Sequence, residues 1–196
     1  MALDDVIPRG GQTASAVFWG EIAPCDHLLQ IYADDGVFLD VLAPYVAEGV
    51  RKPGSAVVIA TPSHLAGLEA RLMADGIDVE AACAADRYIP LVAQDVLDRF
   101  MVDGWPDETR FHETVARIIV RARGPGRPVR AFGEMVALLW ARGEQAATVR
   151  LEYLWNKLLK AERFPLFCAY PRVGFSQDAP LSLHAICAAH TRVIGD

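Results

Sequence analysis

Two polar side chains that could hold a ligand or transfer a proton follow strand-like runs of the sequence. His64 comes after the apolar run Ser55–Thr61, and Glu134 comes directly after the run Val129–Gly133. A histidine and a carboxylate within reach of each other can orient a ligand or act as base and acid. We therefore predict a site at His64 and Glu134. The structural alternatives are a histidine that caps its helix and an ion pair of Glu134 with Arg130.

Other candidates for this site lie in or beside neighbouring predicted elements. Tyr32 and Asp34 stand where the first buried strand ends, and their structural alternative is a core aromatic residue followed by a helix N-cap. Aromatic rings with few charges suit a small, largely apolar ligand. The predicted ligand-binding residues are Tyr32, Asp34, Thr61, His64, Tyr88, Glu134 and Tyr170.

A possible metal site on the last predicted helix is disfavoured by its spacing. His184, Cys187 and His190 recur every three residues, and a thiolate with two imidazoles would suit zinc. Positions i and i+6 of a helix point about 120° apart, so three ligands to one metal would distort the helix. We expect no metal and no cofactor, and we interpret Cys168 as a packing residue in a buried strand.

The elements that would position these residues alternate along the chain from Cys25 onward. Strands that alternate with helices predict an α/β fold, a three-layer sandwich with a parallel sheet between helices. Ligands bind such sheets beyond the carboxyl ends of the strands, where His64 and Glu134 fall. The predicted strands are 27–32, 55–61, 79–83, 88–91, 129–133 and 164–170, and the predicted helices are 37–50, 62–76, 94–103, 107–123, 136–162 with a break near Gly143, and 181–193.

The loop after the first strand lacks the features of a phosphate-binding loop. The order of elements resembles RecA-like ATPases, in which this loop reads GxxxxGK[ST]. Here it reads Tyr32–Gly36 (YADDG), which has no lysine and carries two aspartates that would repel a triphosphate. We therefore expect neither ATP binding nor hydrolysis, and the chain contains no other motif of a known enzyme class.

Composition narrows the class of protein further. The chain has 196 residues, 53% of them hydrophobic, and a formal net charge of −6. These values fit one domain with a large core, which we place at residues 25–196 after an N-terminal tail at residues 1–24. A direct nucleic-acid binder would show a basic stripe, and a membrane protein would show a long apolar span. Neither pattern is present, and the four cysteines without a secretory signal favour the cytoplasm.

Several motifs resemble the methanogen/methylotroph sensory domain, the MEDS domain, over about residues 25–194. The longest is Pro128–Trp140 (PVRAFGEMVALLW), which is followed by Leu151–Asn156 (LEYLWN). The other matching stretches are His27–Tyr32, Ala60–His64, Phe100–Asp107, Cys168–Pro171 and Ile186–His190.

The resemblance implies a non-hydrolysing relative of RecA/KaiC-type folds that senses small, often hydrocarbon-derived compounds. It also implies a signalling partner, such as a histidine kinase or a transcription regulator, because this chain carries no output module of its own. We therefore expect a non-catalytic, cytoplasmic sensory domain that could form a homo-oligomer. The open alternatives are an enzyme that uses His64 and Glu134 as acid and base, and a module that only binds proteins.

Overall fold

A parallel sheet of seven strands organises the described part of the chain. The computed structural model describes residues 12–13, 22–51, 53–174 and 180–195. The strands are β1 (Gln12–Thr13), β2 (His27–Tyr32), β3 (Ser55–Ala60), β4 (Tyr88–Val92), β5 (Met101–Val102), β6 (Trp105–Pro106), β7 (Val129–Gly133), β8 (Leu166–Pro171) and β9 (Arg192–Gly195). The sheet order is β1-β9-β2-β8-β7-β3-β4, and β5 and β6 form a separate antiparallel pair.

Helices cover both faces of the sheet and confirm the predicted three-layer α/β sandwich. The helices are α1 (Asp35–Val50), α2 (Pro62–Ala74), α3 (Val79–Ala84), α4 (Ala93–Leu97), α5 (Glu108–Arg123), α6 (Met135–Ala141), α7 (Gln145–Glu162) and α8 (Pro180–Ala189). One hydrophobic cluster joins the sheet to α1, α2 and α3, and the other joins it to α4 through α8. No helix among the described residues is both long and apolar enough to cross a membrane.

Strand β3 is apolar on both faces because helices cover both faces of the sheet. In β3, Val57 and Ile59 belong to the cluster under α4 through α8, whereas Ala56, Val58 and Ala60 belong to the cluster under α1, α2 and α3. All five side chains are at most 1% exposed. A strand buried on both faces reads as a continuous apolar run, which is why the sequence predicts β3 so well.

The predicted strand at 79–83 is wrong, because this segment forms helix α3. The side chain of Asp78 accepts a hydrogen bond from the Ala81 amide and caps the helix, and three of the six residues of α3 are alanines. Alanine is the strongest helix former, so local propensity overrides the short apolar pattern.

The predicted helix at 94–103 is also too long, because α4 ends at Leu97. The chain then forms the β5–β6 hairpin around Asp103 and Gly104, which have φ values of 49° and 77°. An Asp-Gly pair with positive φ at both residues favours a tight hairpin turn. The spacing of apolar residues alone does not predict this turn.

The last helix differs from the sequence prediction at its C-terminal end. Helix α8 ends at Ala189, and β9 begins at Arg192. Strand β9 pairs with β2 and also with Gln12–Thr13, which lies within the segment expected to be a tail. The predicted break near Gly143 does occur, and it separates α6 from α7.

Candidate functional site

The carboxyl ends of β3 and β7 bring the two predicted site residues together. These strands are parallel neighbours with Ile59 opposite Gly133, so the residues that follow them meet at one edge of the sheet. The Glu134 amide donates to the Ile59 carbonyl at 2.8 Å and fixes the backbone there. After β3, Thr61 caps the N-terminus of α2 and Pro62 is the first residue of this helix, which places His64 in its first turn.

Glu134 uses both carboxylate oxygens within this edge. Its Oε2 accepts a hydrogen bond from the Thr61 amide at 2.8 Å, and its Oε1 lies 2.8 Å from His64 Nδ1. Glu134 is 5% exposed and His64 is 7% exposed. The alternative pairing with Arg130 is not formed, because that guanidinium lies over the Tyr45 ring at 5.4 Å from its centroid.

The second imidazole nitrogen of His64 faces the open side of the site. His64 Nε2 lies 3.5 Å from Asp35 Oδ1, and the Asp35 side chain is 72% exposed. The hydrogen bond to Glu134 raises the pKa of His64, burial opposes this shift, and Asp35 adds to it. The shift extends the pH range over which the ring is protonated and both nitrogens donate, whereas in the neutral ring with its Nδ1 proton on Glu134, Nε2 accepts.

Aromatic rings line the base of the same edge. Tyr32 stacks on Phe38 with ring centroids 4.6 Å apart, and Phe38 meets His64 edge to face at 5.0 Å. Burial raises the pKa of Tyr32, and Glu134 and Asp35 add to this effect. Asp34 accepts a hydrogen bond from the Val37 amide at 3.0 Å, so the structural alternative of an N-cap is present.

Two of the seven predicted site residues lie elsewhere. Tyr88 is the first residue of β4 and pairs with Ala56 in the register, which places it toward the amino ends of the strands. Tyr170 lies on the opposite face of the sheet, where its hydroxyl donates to Glu152 Oε1 at 2.5 Å. The remaining five, Tyr32, Asp34, Thr61, His64 and Glu134, meet at the carboxyl edge.

A second polar cluster, which the sequence reading did not assemble, lies under α7 and α8. Within the described residues, the group with metal-ligand chemistry is His27, Glu152, Cys168 and His190. Burial raises the pKa of Glu152 to about 8 and lowers that of His27 to about 4. Burial therefore disfavours the charged forms of both groups, whose Nε2 and Oε2 atoms lie 3.5 Å apart.

Only weak sequence signals point to this second cluster. Glu152 and Asn156 are four residues apart in an apolar helix, a spacing that places them on one face. Nothing in the linear sequence links His27 to His190, which come together because Thr191 is hydrogen-bonded to His27 before β9 begins.

Clefts flank helix α7 on both sides. A cleft of about 450 Å³ lies between α5 and α7 and is lined by Phe111, His112 and Leu158 among others. Another of about 540 Å³ lies between α7 and α8, and its lining includes Glu152 and Asn156. The second cleft therefore touches the buried polar cluster.

Sequence comparison gives one informative match. The chain matches the family described as MEthanogen/methylotroph, DcmR Sensory domain (MEDS) over residues 26–191. This range includes every residue of the carboxyl edge and of the cluster under α7 and α8. No curated protein matches the chain.

Proposed function

The chain belongs to the MEDS family of sensory domains, and on that premise we propose that it is a non-catalytic sensor of a small, largely apolar molecule. The ligand binds at the carboxyl edge of the sheet, with its polar head on His64. The signal then passes to a separate protein, for which a histidine kinase or a transcription regulator is the expected kind. The observation that carries this proposal is the arrangement of Glu134, His64 and Asp35.

Glu134 supports a binding role for His64. Because both Glu134 oxygens are engaged, the carboxylate holds the imidazole in one orientation and leaves Nε2 as the polar atom on the open side. In the part of the chain that the structure describes, the partner of Nε2 at that side is the exposed Asp35 at 3.5 Å, a longer distance than a good hydrogen bond. A ligand hydroxyl can insert there by accepting from the protonated ring and donating to Asp35, and an amine can insert by donating to Asp35 and to the unprotonated Nε2.

The charges at the edge favour an uncharged or cationic head group over an anion. The N-termini of α1 and α2 would normally attract anions such as phosphate. Here three carboxylates, Asp34, Asp35 and Glu134, already occupy those helix ends, and His64 is the nearby basic side chain. A phosphate or carboxylate would meet net negative charge. The absence of a lysine in Tyr32–Gly36 supports loss of nucleotide binding and agrees with a non-hydrolysing relative of RecA/KaiC-type folds.

The same contacts offer a route from ligand to output. His64 belongs to α2, Glu134 follows β7, and Asp35 begins α1. The His64 side chain, which contacts both carboxylates, therefore connects three elements. A ligand that displaces Asp35 from His64 changes the link between α1 and α2. A bound state that differs from the free state in such contacts is what a sensor needs.

The proposal can be tested with three ligands of equal chain length. Thermal unfolding is followed with 1-butanol, 1-butylamine and butyrate at constant pH, which vary only the head group. We expect the amine and the alcohol to raise the melting temperature saturably by mass action, and butyrate to have no such effect. His64→Asn and Glu134→Gln should lose the response, whereas His112→Asn, which changes an exposed histidine on α5, should keep it. Equal responses to all three compounds in all four proteins would refute the proposed site.

A further inference from the structure

We propose that His27, Glu152, Cys168 and His190 form a binding site for a divalent transition metal, zinc by the chemistry of its donors. These side chains lie on the face of the sheet opposite to His64 and Glu134. The proposal is independent of the ligand site, and either can fail without the other. It replaces the sequence expectation of no metal, which considered His184, Cys187 and His190 on one helix.

Each ligand comes from a different place in the chain. His27 begins β2, and Cys168 lies in the adjacent strand β8. Glu152 lies in α7, and His190 directly follows α8. A metal here would tie the two central strands to both helices that cover them. In contrast, His184 is exposed and lies outside this cluster.

The distances between the donor atoms are close to those around one tetrahedral ion, and the 3.9 Å between Cys168 Sγ and Glu152 Oε2 is the longest of the four contacts. His27 Nε2 lies 3.3 Å from Cys168 Sγ and 3.5 Å from Glu152 Oε2. His190 Nε2 lies 3.7 Å from Glu152 Oε1, and all the donor atoms lie within 4.8 Å of one another. Zinc bonds of about 2.0 Å to nitrogen or oxygen and about 2.3 Å to sulfur give tetrahedral edges of about 3.3–3.5 Å.

The outer contacts fix the tautomer of both imidazoles, whose ring centroids lie 3.8 Å apart. His27 Nδ1 lies 3.2 Å from the Ala189 carbonyl, and His190 Nδ1 lies 2.6 Å from the Ile186 carbonyl. Each ring therefore donates its Nδ1 proton to the backbone and turns Nε2 inward. Metal-binding histidines almost always show this pattern, which fixes the tautomer. Asn156 donates to the same Ala189 carbonyl at 2.9 Å and supports it.

Without a metal, one buried nitrogen of the cluster has no hydrogen bond. The His190 side chain is 0% exposed, and its Nε2 has no hydrogen-bond partner among the described residues. A buried polar atom without a partner is costly, so a ligand for it is expected. His27 is 0% exposed, Glu152 is 1% exposed and Cys168 is 0% exposed. One carboxylate and one thiolate would balance the charge of a divalent cation, and the imidazoles would remain neutral.

The donor set also indicates what kind of metal site this is. Four protein ligands fill a tetrahedral shell and leave no open position, unlike catalytic zinc sites, which keep one for water. The ion would stabilise the packing of α7 and α8 on the sheet. Glu152 also lines the cleft between these two helices, so a metal bound to Glu152 would change the wall of that cleft.

Metal analysis of untagged protein tests the site directly. We expect stoichiometric zinc by mass spectrometry, loss of the metal on treatment with a strong chelator, and recovery on addition of Zn²⁺. Titration of the stripped protein with Co²⁺ should give the intense visible bands of a tetrahedral site and a thiolate charge-transfer band. At a hundredfold excess over the dissociation constant, Zn²⁺ should raise the ratio of folded to unfolded protein about a hundredfold.

Matched variants separate this site from other thiols and imidazoles. Cys168→Ser should abolish the thiolate band, and His190→Asn should weaken Co²⁺ binding at least tenfold. Cys187→Ser and His184→Asn change the same residue types outside the cluster and should bind Co²⁺ as the wild type does. The site is refuted if stripped wild-type protein binds neither ion, or if the Co²⁺ spectrum is lost with Cys187→Ser and kept with Cys168→Ser. The wild-type titration remains decisive even where a variant fails to fold.

Discussion

Replacing Glu134 by glutamine should weaken the fold in a way that depends on pH. Glutamine keeps the shape of the side chain and removes its charge, so the Thr61 amide and His64 lose charge-assisted hydrogen bonds. Such bonds contribute about 1.5–3 kcal/mol each, and neutral ones about 0.5–1.5 kcal/mol. The free energy of unfolding should therefore fall by about 2 kcal/mol at pH 6. For a chain of this length that lowers the melting temperature by about 4–8 °C.

The sign of the pH dependence follows from the raised pKa of His64. A group whose pKa is higher in the folded state contributes its full stabilisation below the unfolded value of 6.5. That stabilisation is lost as the pH rises through the folded-state pKa. The difference between wild type and Glu134→Gln should therefore be largest near pH 6 and smaller at pH 9.

Urea unfolding followed by tryptophan fluorescence at both pH values measures this difference. Asp86→Asn is a suitable control, because Asp86 pairs with Arg121 on the surface with both side chains well exposed. Exposed pairs contribute about 0.2–1 kcal/mol, so this variant should change little at either pH. A Glu134→Gln protein as stable as the wild type, or one with the same loss at pH 6 and pH 9, would refute the reasoning.

Three further outcomes are expected. Phe132→Ala, which removes a fully buried ring between Phe38 and Phe167, should cost about 3–5 kcal/mol in urea unfolding, and a loss below about 1 kcal/mol would contradict the described core. Gly54→Ala should cost about 1–3 kcal/mol, because its Cβ would overlap the Gly49 carbonyl, and an unchanged unfolding midpoint would contradict that contact. Calorimetry with Mg-ATP should show no binding, and a low-micromolar affinity would overturn the interpretation of the Tyr32–Gly36 loop.

The central strands could be predicted from sequence because their burial leaves a direct pattern. His27–Tyr32 and Val129–Gly133 occupy the expected residues, because strands covered on both faces are largely apolar. The pairing of His64 with Glu134 could also be anticipated, because parallel neighbouring strands end at the same edge. Helix α3 could not be predicted in this way, because six residues are too few for apolar periodicity to distinguish a helix from a strand.

The cluster under α7 and α8 could not be assembled from sequence for a different reason. His27 and His190 are brought together by the order of strands β9, β2 and β8, which apolar patterns do not specify. Cys168 reads as an ordinary apolar position of a buried strand. Tyr170 was expected at the carboxyl edge, but residue alternation in β8 points it to the opposite face, beside Glu152.

The most direct test of the sensory proposal is to observe the His64 imidazole itself by NMR while a ligand is added. The chain has five histidines, so the ring signals can be assigned with single variants. On titration with 1-butylamine at constant pH, the His64 signal should move saturably, and the signals of His112 and His184 should stay fixed. Glu134→Gln should abolish the movement. An unchanged His64 signal while the amine still raises the melting temperature would contradict the account, because the ligand would then bind elsewhere.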